Sequence, residues 1–220
     1  MAAQAGFVST TFWAKRGKRV FDVGAGLALL ILLSPLLAII SLLIKLTSPG
    51  PVFFRQDRAG WKGAIIRPIK FRTMRGDRRP DPKELVPLGH PDITKVGLIL
   101  RRFKLDELSQ LINVLRGEMS LVGPRPTLPD QVAAYDEFRR QRLLVRPGLT
   151  GLAQVYSSAA ATWEERILYD IAYVRRCSFS LDLSILARTA LTMFLGEERT
   201  RRPFQTTRFV RYVDSPPDFR

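Results

Sequence analysis

One apolar run limits the folds open to this chain more than any other feature. The 21 residues from Gly24 to Ile44 carry no charge, and basic residues lie on both sides of them. As a helix, this run would be roughly 31 Å long, which is enough to cross the hydrocarbon core of a bilayer. It is too long for the apolar part of a cleaved signal peptide. We therefore expect the mature protein to keep a membrane helix.

Ser34-Pro35, at the centre of this run, predicts a break in the helix. Proline donates no backbone hydrogen bond and clashes with the carbonyl of Ile31, and Ser34 can donate to a carbonyl that is freed in this way. Hydropathy alone favours a kinked single span, since proline is tolerated in spanning helices. The alternative is a re-entrant helix that enters and leaves by one face, and Lys45 at its second end agrees with it.

The composition indicates anionic partners. Thirty-five Lys and Arg residues against 20 Asp and Glu give a formal net charge of +15. Nucleic acid, acidic lipid headgroups and a phosphorylated substrate all fit this charge. A single cysteine, Cys177, and a single histidine, His90, exclude an internal disulfide framework and a Cys/His zinc site. His90 lies in a Gly/Pro-containing stretch that predicts a loop.

The remaining pattern predicts a mostly α-helical chain with a small β element. Strands are expected at Val52-Phe53-Phe54 and Ile65–Met74, and an exposed loop at 76–92. Apolar residues at helical spacing predict four further helices, which cover Leu98–Leu115, Asp130–Leu144, Thr162–Arg176, and Asp182–Leu195 with Gly196 as its cap. The apolar stripe of the last helix suits either the membrane interface or the domain core.

Asp106-Glu107 is the first candidate for chemistry. The pair falls near the start of a predicted helix, where the helix dipole favours anions and would keep an aspartate ionised. Neighbouring carboxylates beside arginines suit phosphoryl transfer, because one can attack phosphorus or ligate Mg²⁺ while the cations neutralise phosphate oxygens. An isolated pair of this kind is more often only favourable charge on a first helical turn.

Three basic elements accompany this pair. Gly123-Pro124-Arg125-Pro126 and Arg146-Pro147-Gly148 hold arginines in rigid turns that suit bidentate phosphate recognition. Lys70-Phe71-Arg72 places two cations on one side of a strand. Each element alone fits an ordinary surface charge. Together with the carboxylates and the membrane helix, they predict a diphosphate site.

Seven motifs occur in this order: Lys18-Arg19-Val20-Phe21-Asp22, Ser34-Pro35, Pro51-Val52-Phe53-Phe54-Arg55-Gln56, Lys70-Phe71-Arg72-Thr73-Met74, Leu105-Asp106-Glu107-Leu108, Gly123-Pro124-Arg125-Pro126 and Arg146-Pro147-Gly148-Leu149-Thr150-Gly151. In this order they resemble the bacterial sugar transferase family, the monotopic phosphoglycosyl transferases that begin glycan assembly on polyprenyl phosphate. The resemblance runs from about residue 15 to residue 195 and fits the small single-domain form.

The resemblance implies a membrane topology as well as a fold. It implies a re-entrant helix-break-helix around Ser34-Pro35 with both ends cytoplasmic, interfacial amphipathic helices, and a compact catalytic domain on the cytoplasmic face of the bacterial inner membrane. This replaces the single span that hydropathy favours. The implied organisation is a basic, interfacial segment at 1–19, the re-entrant helix at 20–46, the catalytic domain at 47–196 and a C-terminal tail at 197–220.

The resemblance also implies a two-step reaction. Asp106 would attack the β-phosphate of a UDP-sugar, release UMP and form a covalent phosphosugar-aspartyl intermediate. Polyprenyl (undecaprenyl) phosphate would then attack this intermediate and give polyprenyl-diphosphate-sugar. Glu107 would hold Mg²⁺. The cations that would bind donor or acceptor phosphates are Lys70, Arg101, Arg125 and Arg146. The implied partners are the UDP-sugar, polyprenyl phosphate and membrane lipids, without nucleic acid; the oligomeric state stays open, and a dimer is compatible with the sequence.

Two segments bear on the donor, and one competing function remains. Tyr156-Ser157-Ser158 stands where family members often carry Asn-Gly-Arg, which leaves the donor open. Gln205-Thr206-Thr207-Arg208-Phe209 is similar to the tail of small members that use N-acetylated sugars and favours such a donor.

The competing function is a non-catalytic, membrane-anchored basic protein that binds nucleic acid or acidic lipids, for which the basic stretch Arg199–Arg202 is suited. Such a protein has no need of the carboxylate pair.

Overall fold

The computed structural model describes residues 13–75, 86–157, 161–195 and 203–213. The chain is mostly helical with small sheets, as predicted. Several predictions concern residues outside the described ranges, namely the loop at 76–85, Ser158, the cap at Gly196, the basic stretch Arg199–Arg202, and the two ends of the chain at 1–12 and 214–220.

Eight α-helices and six short strands are formed by the described residues. The helices are α1 Lys18–Thr47, α2 Lys95–Arg102, α3 Leu111–Arg116, α4 Pro129–Ala133, α5 Glu137–Arg140, α6 Leu152–Tyr156, α7 Trp163–Arg176 and α8 Phe179–Leu195. The strands are β1 Phe53–Arg55, β2 Arg58–Ala59, β3 Ile65–Ile66, β4 Ile69–Phe71, β5 Ser120–Val122 and β6 Gly148–Thr150. Strands β1 and β4 pair antiparallel, as do β2 and β3, whereas β5 and β6 pair parallel.

Helix α1 is the one helix in the described ranges that is long and apolar enough to cross a membrane. The helix continues through Pro35 without a non-helical segment, so the break predicted at Ser34-Pro35 is not found. The hydroxyl of Ser34 donates to the carbonyl of Ile31 at 2.8 Å, as predicted. This bond supplies a donor to the carbonyl that proline leaves without one, which helps the helix to continue.

The N-terminal end of α1 is attached to the domain by buried polar contacts. Lys18 Nζ and Trp13 Nε1 donate to the Asp182 carboxylate at 2.7 and 2.8 Å, and the Tyr173 hydroxyl donates to its other oxygen. Asp182 is 1% exposed, so these donors compensate the cost of burying its charge. Arg19 donates to the last carbonyls of α3. These contacts hold α1 against α3, α7 and α8.

The two glycine turns of the sequence meet at the β5–β6 pair. Gly123 N donates to the Thr150 carbonyl and Gly148 N to the Pro124 carbonyl, both at 2.9 Å. A Cβ on Gly148 would lie 2.1 Å from Gly123 N, so a side chain at this position would prevent the close approach. This pairing, which the sequence analysis did not predict, positions the turn that carries Arg125.

Helix predictions differed in their outcome. The helix at Thr162–Arg176 is confirmed as α7, and the Thr162 side chain caps it by accepting from Glu165 N. The predicted helix at Asp182–Leu195 is confirmed as α8, which begins earlier at Phe179. A single helix at Asp130–Leu144 was wrong. The chain breaks after α4 because the Asp136 side chain accepts from Arg139 N and starts a new helix.

Candidate active site

Asp106 and Glu107 lie in the first turn of a 3₁₀-helix, Leu105–Gln110. The helix predicted over Leu98–Leu115 is therefore divided into α2, this 3₁₀-helix and α3. Lys104 adopts a left-handed conformation, with φ 55° and ψ 23°, and redirects the chain after α2. The Ser109 hydroxyl donates to the Ile69 carbonyl at 2.8 Å, which holds the 3₁₀-helix against β4.

The Glu107 carboxylate forms ion pairs with two cations from distant parts of the chain. Lys70 Nζ lies 2.6 Å from its Oε1, and the Arg125 guanidinium donates to both of its oxygens at 2.7 and 3.2 Å. Burial opposes ionisation of Glu107, but Arg125 and Lys70 outweigh it and hold the pKa of this carboxyl well below its ordinary value. Glu107 therefore stays charged.

The pKa of Asp106 shifts in the opposite direction. Its carboxylate makes no hydrogen bond or ion pair with another side chain in the described ranges, and it is half-buried. Burial, and then the charge of Glu107, raise the pKa of Asp106 above its ordinary value, against the attraction of Lys70 and Arg101. The helix dipole was expected to act the other way, and burial outweighs it. The pKa values of the two adjacent carboxyls thus shift in opposite directions. Glu107 is held by hydrogen bonds to two cations, whereas Asp106 is not.

Arg101 reaches the same site from α2. Its Nε donates to the Thr73 hydroxyl at 2.9 Å, and its charge favours ionisation of Asp106. A Cβ on Gly97, one turn earlier, would lie 2.0 Å from the Thr73 carbonyl oxygen, so α2 approaches the segment after β4 closely only because residue 97 is glycine. Lys70, Arg101 and Arg125 are therefore brought together around Asp106-Glu107.

Two other cations singled out in the sequence have different surroundings. Arg146 Nε donates to the Gly117 carbonyl at 2.8 Å, and its guanidinium lies 4.7 Å from the centre of the Trp61 ring. Arg72 is buried and donates to the Ser48 carbonyl at the end of α1. These contacts hold the C-terminal ends of α3 and α1, and neither reaches the carboxylate pair. A phosphate-binding role for Arg146 stays a prediction.

Arg58, on β2, was missed by the sequence analysis. Ala59 N donates to the Thr127 carbonyl at 2.8 Å, which places β2 beside the turn that carries Arg125. Burial and the charge of Arg125 lower the pKa of Arg58, and Glu107 raises it, so the three groups are neighbours. The only signal in the sequence was its position two residues after the Arg55-Gln56 motif.

The carboxylate pair fits Mg²⁺ when a phosphate substrate is present. The described residues contain no group of three or more His, Cys, Asp or Glu side chains that would hold a metal by themselves. Mg²⁺ is usually bound through one or two carboxylates, with substrate phosphates and water completing its shell. Asp106 and Glu107 supply oxygen donors of this kind, although Glu107 would share its oxygens with Lys70 and Arg125.

Replacing Arg125 by glutamine is expected to make stability depend less on pH. Glu107 has its pKa depressed below the ordinary 4.5, so it stabilises the fold above that pH, and this contribution fades as pH falls below it toward the folded pKa. The stability lost on replacing Arg125 should therefore be largest above about pH 5 and shrink at lower pH. Melting temperatures of both proteins between pH 3.5 and 7 measure this difference.

Arg67→Gln is the matched control, because Arg67 pairs with Asp57 on the exposed surface. Its effect should be small over the whole range. A stability difference for Arg125→Gln that grew as the pH fell would contradict the assignment.

Comparison with known proteins identifies the family of this chain. A family model described as bacterial sugar transferase matches residues 13–196. The uncharacterized sugar transferase EpsL of Bacillus subtilis is 41% identical over 82% of this chain and 88% of its own length. The UDP-glucose:undecaprenyl-phosphate glucose-1-phosphate transferase of Caulobacter vibrioides is 44% identical over 78% of this chain and 67% of its own. The UDP-N-acetylgalactosamine-undecaprenyl-phosphate N-acetylgalactosaminephosphotransferase of Aeromonas hydrophila is 38% identical over 81% of this chain and 44% of its own.

Proposed function

This chain belongs to the bacterial sugar transferase family, and on that premise we propose that it transfers a sugar-1-phosphate from a UDP-sugar to polyprenyl phosphate. The products are a polyprenyl-diphosphate-sugar and UMP. The observation that carries this proposal is the open carboxylate of Asp106 beside a Glu107 that two cations neutralise. A membrane helix in the same chain suits an acceptor that is itself a lipid.

Asp106 is the nucleophile in this proposal. One of its carboxylate oxygens forms a bond to the β-phosphorus of the donor. The bond from that phosphorus to the bridging oxygen breaks, and UMP leaves with the electron pair. The polyprenyl phosphate then attacks the same phosphorus and releases the Asp106 carboxylate. A covalent route lets UMP depart before the second anion approaches, so the site never holds both anionic substrates.

The surrounding residues assist without taking part in bond making. Lys70, Arg101 and Arg125 offset the charge of the phosphate oxygens, and fixed cations in a partly buried site do this more effectively than water. Glu107 fixes Lys70 and Arg125 in place through its hydrogen bonds. Mg²⁺, when bound at Glu107, would neutralise further charge on the donor phosphates.

The packing of α1 supports a shallow insertion with both ends on one side of the membrane over a full crossing. One side of α1 packs on the domain along its length, from Phe21 and Leu33 to Ile40 and Ile44. Its other side exposes large apolar side chains, of which Leu32 is 73% exposed. A full crossing would draw the charged domain into hydrocarbon, which is costly. Insertion by the exposed side alone keeps both ends of α1 on one side of the membrane.

The test is UMP release by the purified full chain in detergent, with Mg²⁺ and a panel of UDP-sugars, with and without undecaprenyl phosphate. We expect sustained release with at least one donor, and only when the lipid is present. The panel includes UDP-glucose and UDP-N-acetylgalactosamine, and the tail at Gln205–Phe209 makes N-acetylated donors the first to test. Without the lipid, at most one UMP per protein chain should be released. Sustained release without the lipid, or no release with any donor, would contradict the proposal.

A further inference from the structure

Arg58 lies beside the turn that carries Arg125 because the backbone holds the two segments together. Strand β2 pairs with β3 on one side, and Ala59 pairs with Thr127 on the other. Thr127 is itself buried, and the Tyr135 hydroxyl lies 3.4 Å from its side-chain oxygen. The position of Arg58 relative to Arg125 is therefore set by main-chain hydrogen bonds and does not depend on flexible side chains alone.

Among the residues that the structure describes, no carboxylate forms an ion pair with Arg58. Its guanidinium donates to Gln56 Oε1 at 2.5 Å, and this partner is a neutral amide. Arg125, by contrast, is paired with Glu107 through two hydrogen bonds. The repulsion between the two guanidinium groups contributes, after burial, to lowering the pKa of Arg58. An anion between them would remove this repulsion.

The whole cluster carries surplus positive charge. Counting only the residues that the structure describes, Arg58, Lys70, Arg101 and Arg125 surround the carboxylates of Asp106 and Glu107, which is two more cations than anions. This surplus matches a diphosphate, which carries about two negative charges when both its phosphates are esterified. Two of these cations interact electrostatically with different carboxylates: Arg101 with Asp106, and Arg58 with Glu107.

Arg101 comes from α2, a helix with exposed apolar side chains. Leu98 and Ile99, on the same helix, are 45% and 56% exposed, as expected of a helix that touches the membrane surface. Arg58 and Arg125 come from β2 and the 123–127 turn instead. A lipid-linked phosphate approaching from the membrane would thus meet Arg101, and the water-soluble donor would meet the other pair.

We propose that Arg58 is a further substrate-binding residue, which together with Arg125 holds the nucleoside monophosphate part of the donor. This deepens the proposed function and rests on it. As Asp106 displaces UMP, negative charge grows on the oxygen that bridged the two phosphates, and the two guanidinium groups stabilise it. Gln56 orients Arg58 by accepting its hydrogen bond, which leaves the other guanidinium donors for phosphate.

The test measures binding of UMP to the full chain in detergent by isothermal titration calorimetry with Mg²⁺. Arg58→Gln is expected to weaken UMP binding by about ten- to a hundredfold, since it removes charge-assisted hydrogen bonds. Arg58→Lys should recover part of the loss, because it restores the charge without the planar donor pair. Arg55→Gln is the matched control on β1, the preceding strand in the chain, where Arg55 is exposed, and it should bind UMP like the unmodified chain.

Kinetics separate the donor side from the acceptor side. Arg58→Gln should raise KM for the UDP-sugar and leave KM for polyprenyl phosphate unchanged. Unchanged UMP binding in folded Arg58→Gln protein would overturn the inference, as would a raised KM for polyprenyl phosphate alone. If the unmodified chain failed to bind UMP, the proposed function itself would fail. Melting curves show which variants are folded. If Arg58→Gln is not folded, Arg58→Lys is measured in its place.

Discussion

Replacing Asp106 by asparagine is expected to lower the rate of UMP release by about a thousandfold or more. Asparagine keeps the size of the side chain but lacks the anionic oxygen that attacks phosphorus. The contacts that build the site should survive, because Glu107, Lys70 and Arg125 bind one another and not Asp106. The measurement is the initial rate with the preferred donor, polyprenyl phosphate and Mg²⁺.

Asp136→Asn is the matched control for this variant, since Asp136 caps α5 on the exposed surface and asparagine caps equally well. Its rate should equal that of the unmodified chain. Mass spectrometry adds a direct observation. Protein incubated with donor alone should gain a sugar-phosphate on the peptide that contains Asp106, and Asp106→Asn protein should gain none. An Asp106→Asn rate above about a tenth of the original would argue against covalent catalysis.

Replacing Asp170 by asparagine is expected to reduce the free energy of unfolding by about 3–5 kcal/mol. Asp170 Oδ2 lies 2.5 Å from the guanidinium of Arg142, and the two side chains are 3% and 2% exposed. Asparagine can still accept a hydrogen bond, but the buried guanidinium would lose its counter-charge. The apparent melting temperature should fall by roughly 6–20 °C for a chain of this size.

Two further variants show whether the unpaired charge causes this loss. Asp136→Asn, on the surface, should change the melting temperature little. The double variant Arg142→Met with Asp170→Leu should recover much of the stability, because it leaves no buried charge. A double variant as unstable as Asp170→Asn would show that the pair acts through its shape and not its charge.

The Arg142–Asp170 pair also connects stability to the site. Arg142 donates to the backbone carbonyl of Arg125 at 3.0 Å and to the Tyr135 hydroxyl at 2.8 Å. A buried ion pair, whose two members are 28 residues apart in the sequence, thus holds the turn that presents Arg125 to Glu107. Nothing in the local sequence of Arg142 distinguishes it from the other arginines around it, so this support was not predicted.

Predictions from sequence succeeded where the signal was local. Helix α7 was predicted correctly because its apolar spacing is long and Thr162 caps it. The extended runs predicted at Val52-Phe53-Phe54 and Ile65–Met74 overlap strands β1, β3 and β4. The division of Asp130–Leu144 into shorter helices was not predicted. The apolar spacing favours one helix, but the Asp136 side chain caps a new helix within the same stretch, and the sequence does not show which of the two local preferences prevails.

The sequence by itself determined the apolar helix, the Asp106-Glu107 pair and the excess of arginine, since each is a property of residues that are adjacent or regularly spaced. Only the tertiary structure decided which cations face the carboxylates. It placed Arg58 beside Arg125 and Glu107, and it directed Arg146 to Trp61 and Gly117. The physical reason is that the energy of a charge depends on its distance from other charges and on its burial. Both are set by contacts between segments far apart in the chain, which motif spacing does not contain.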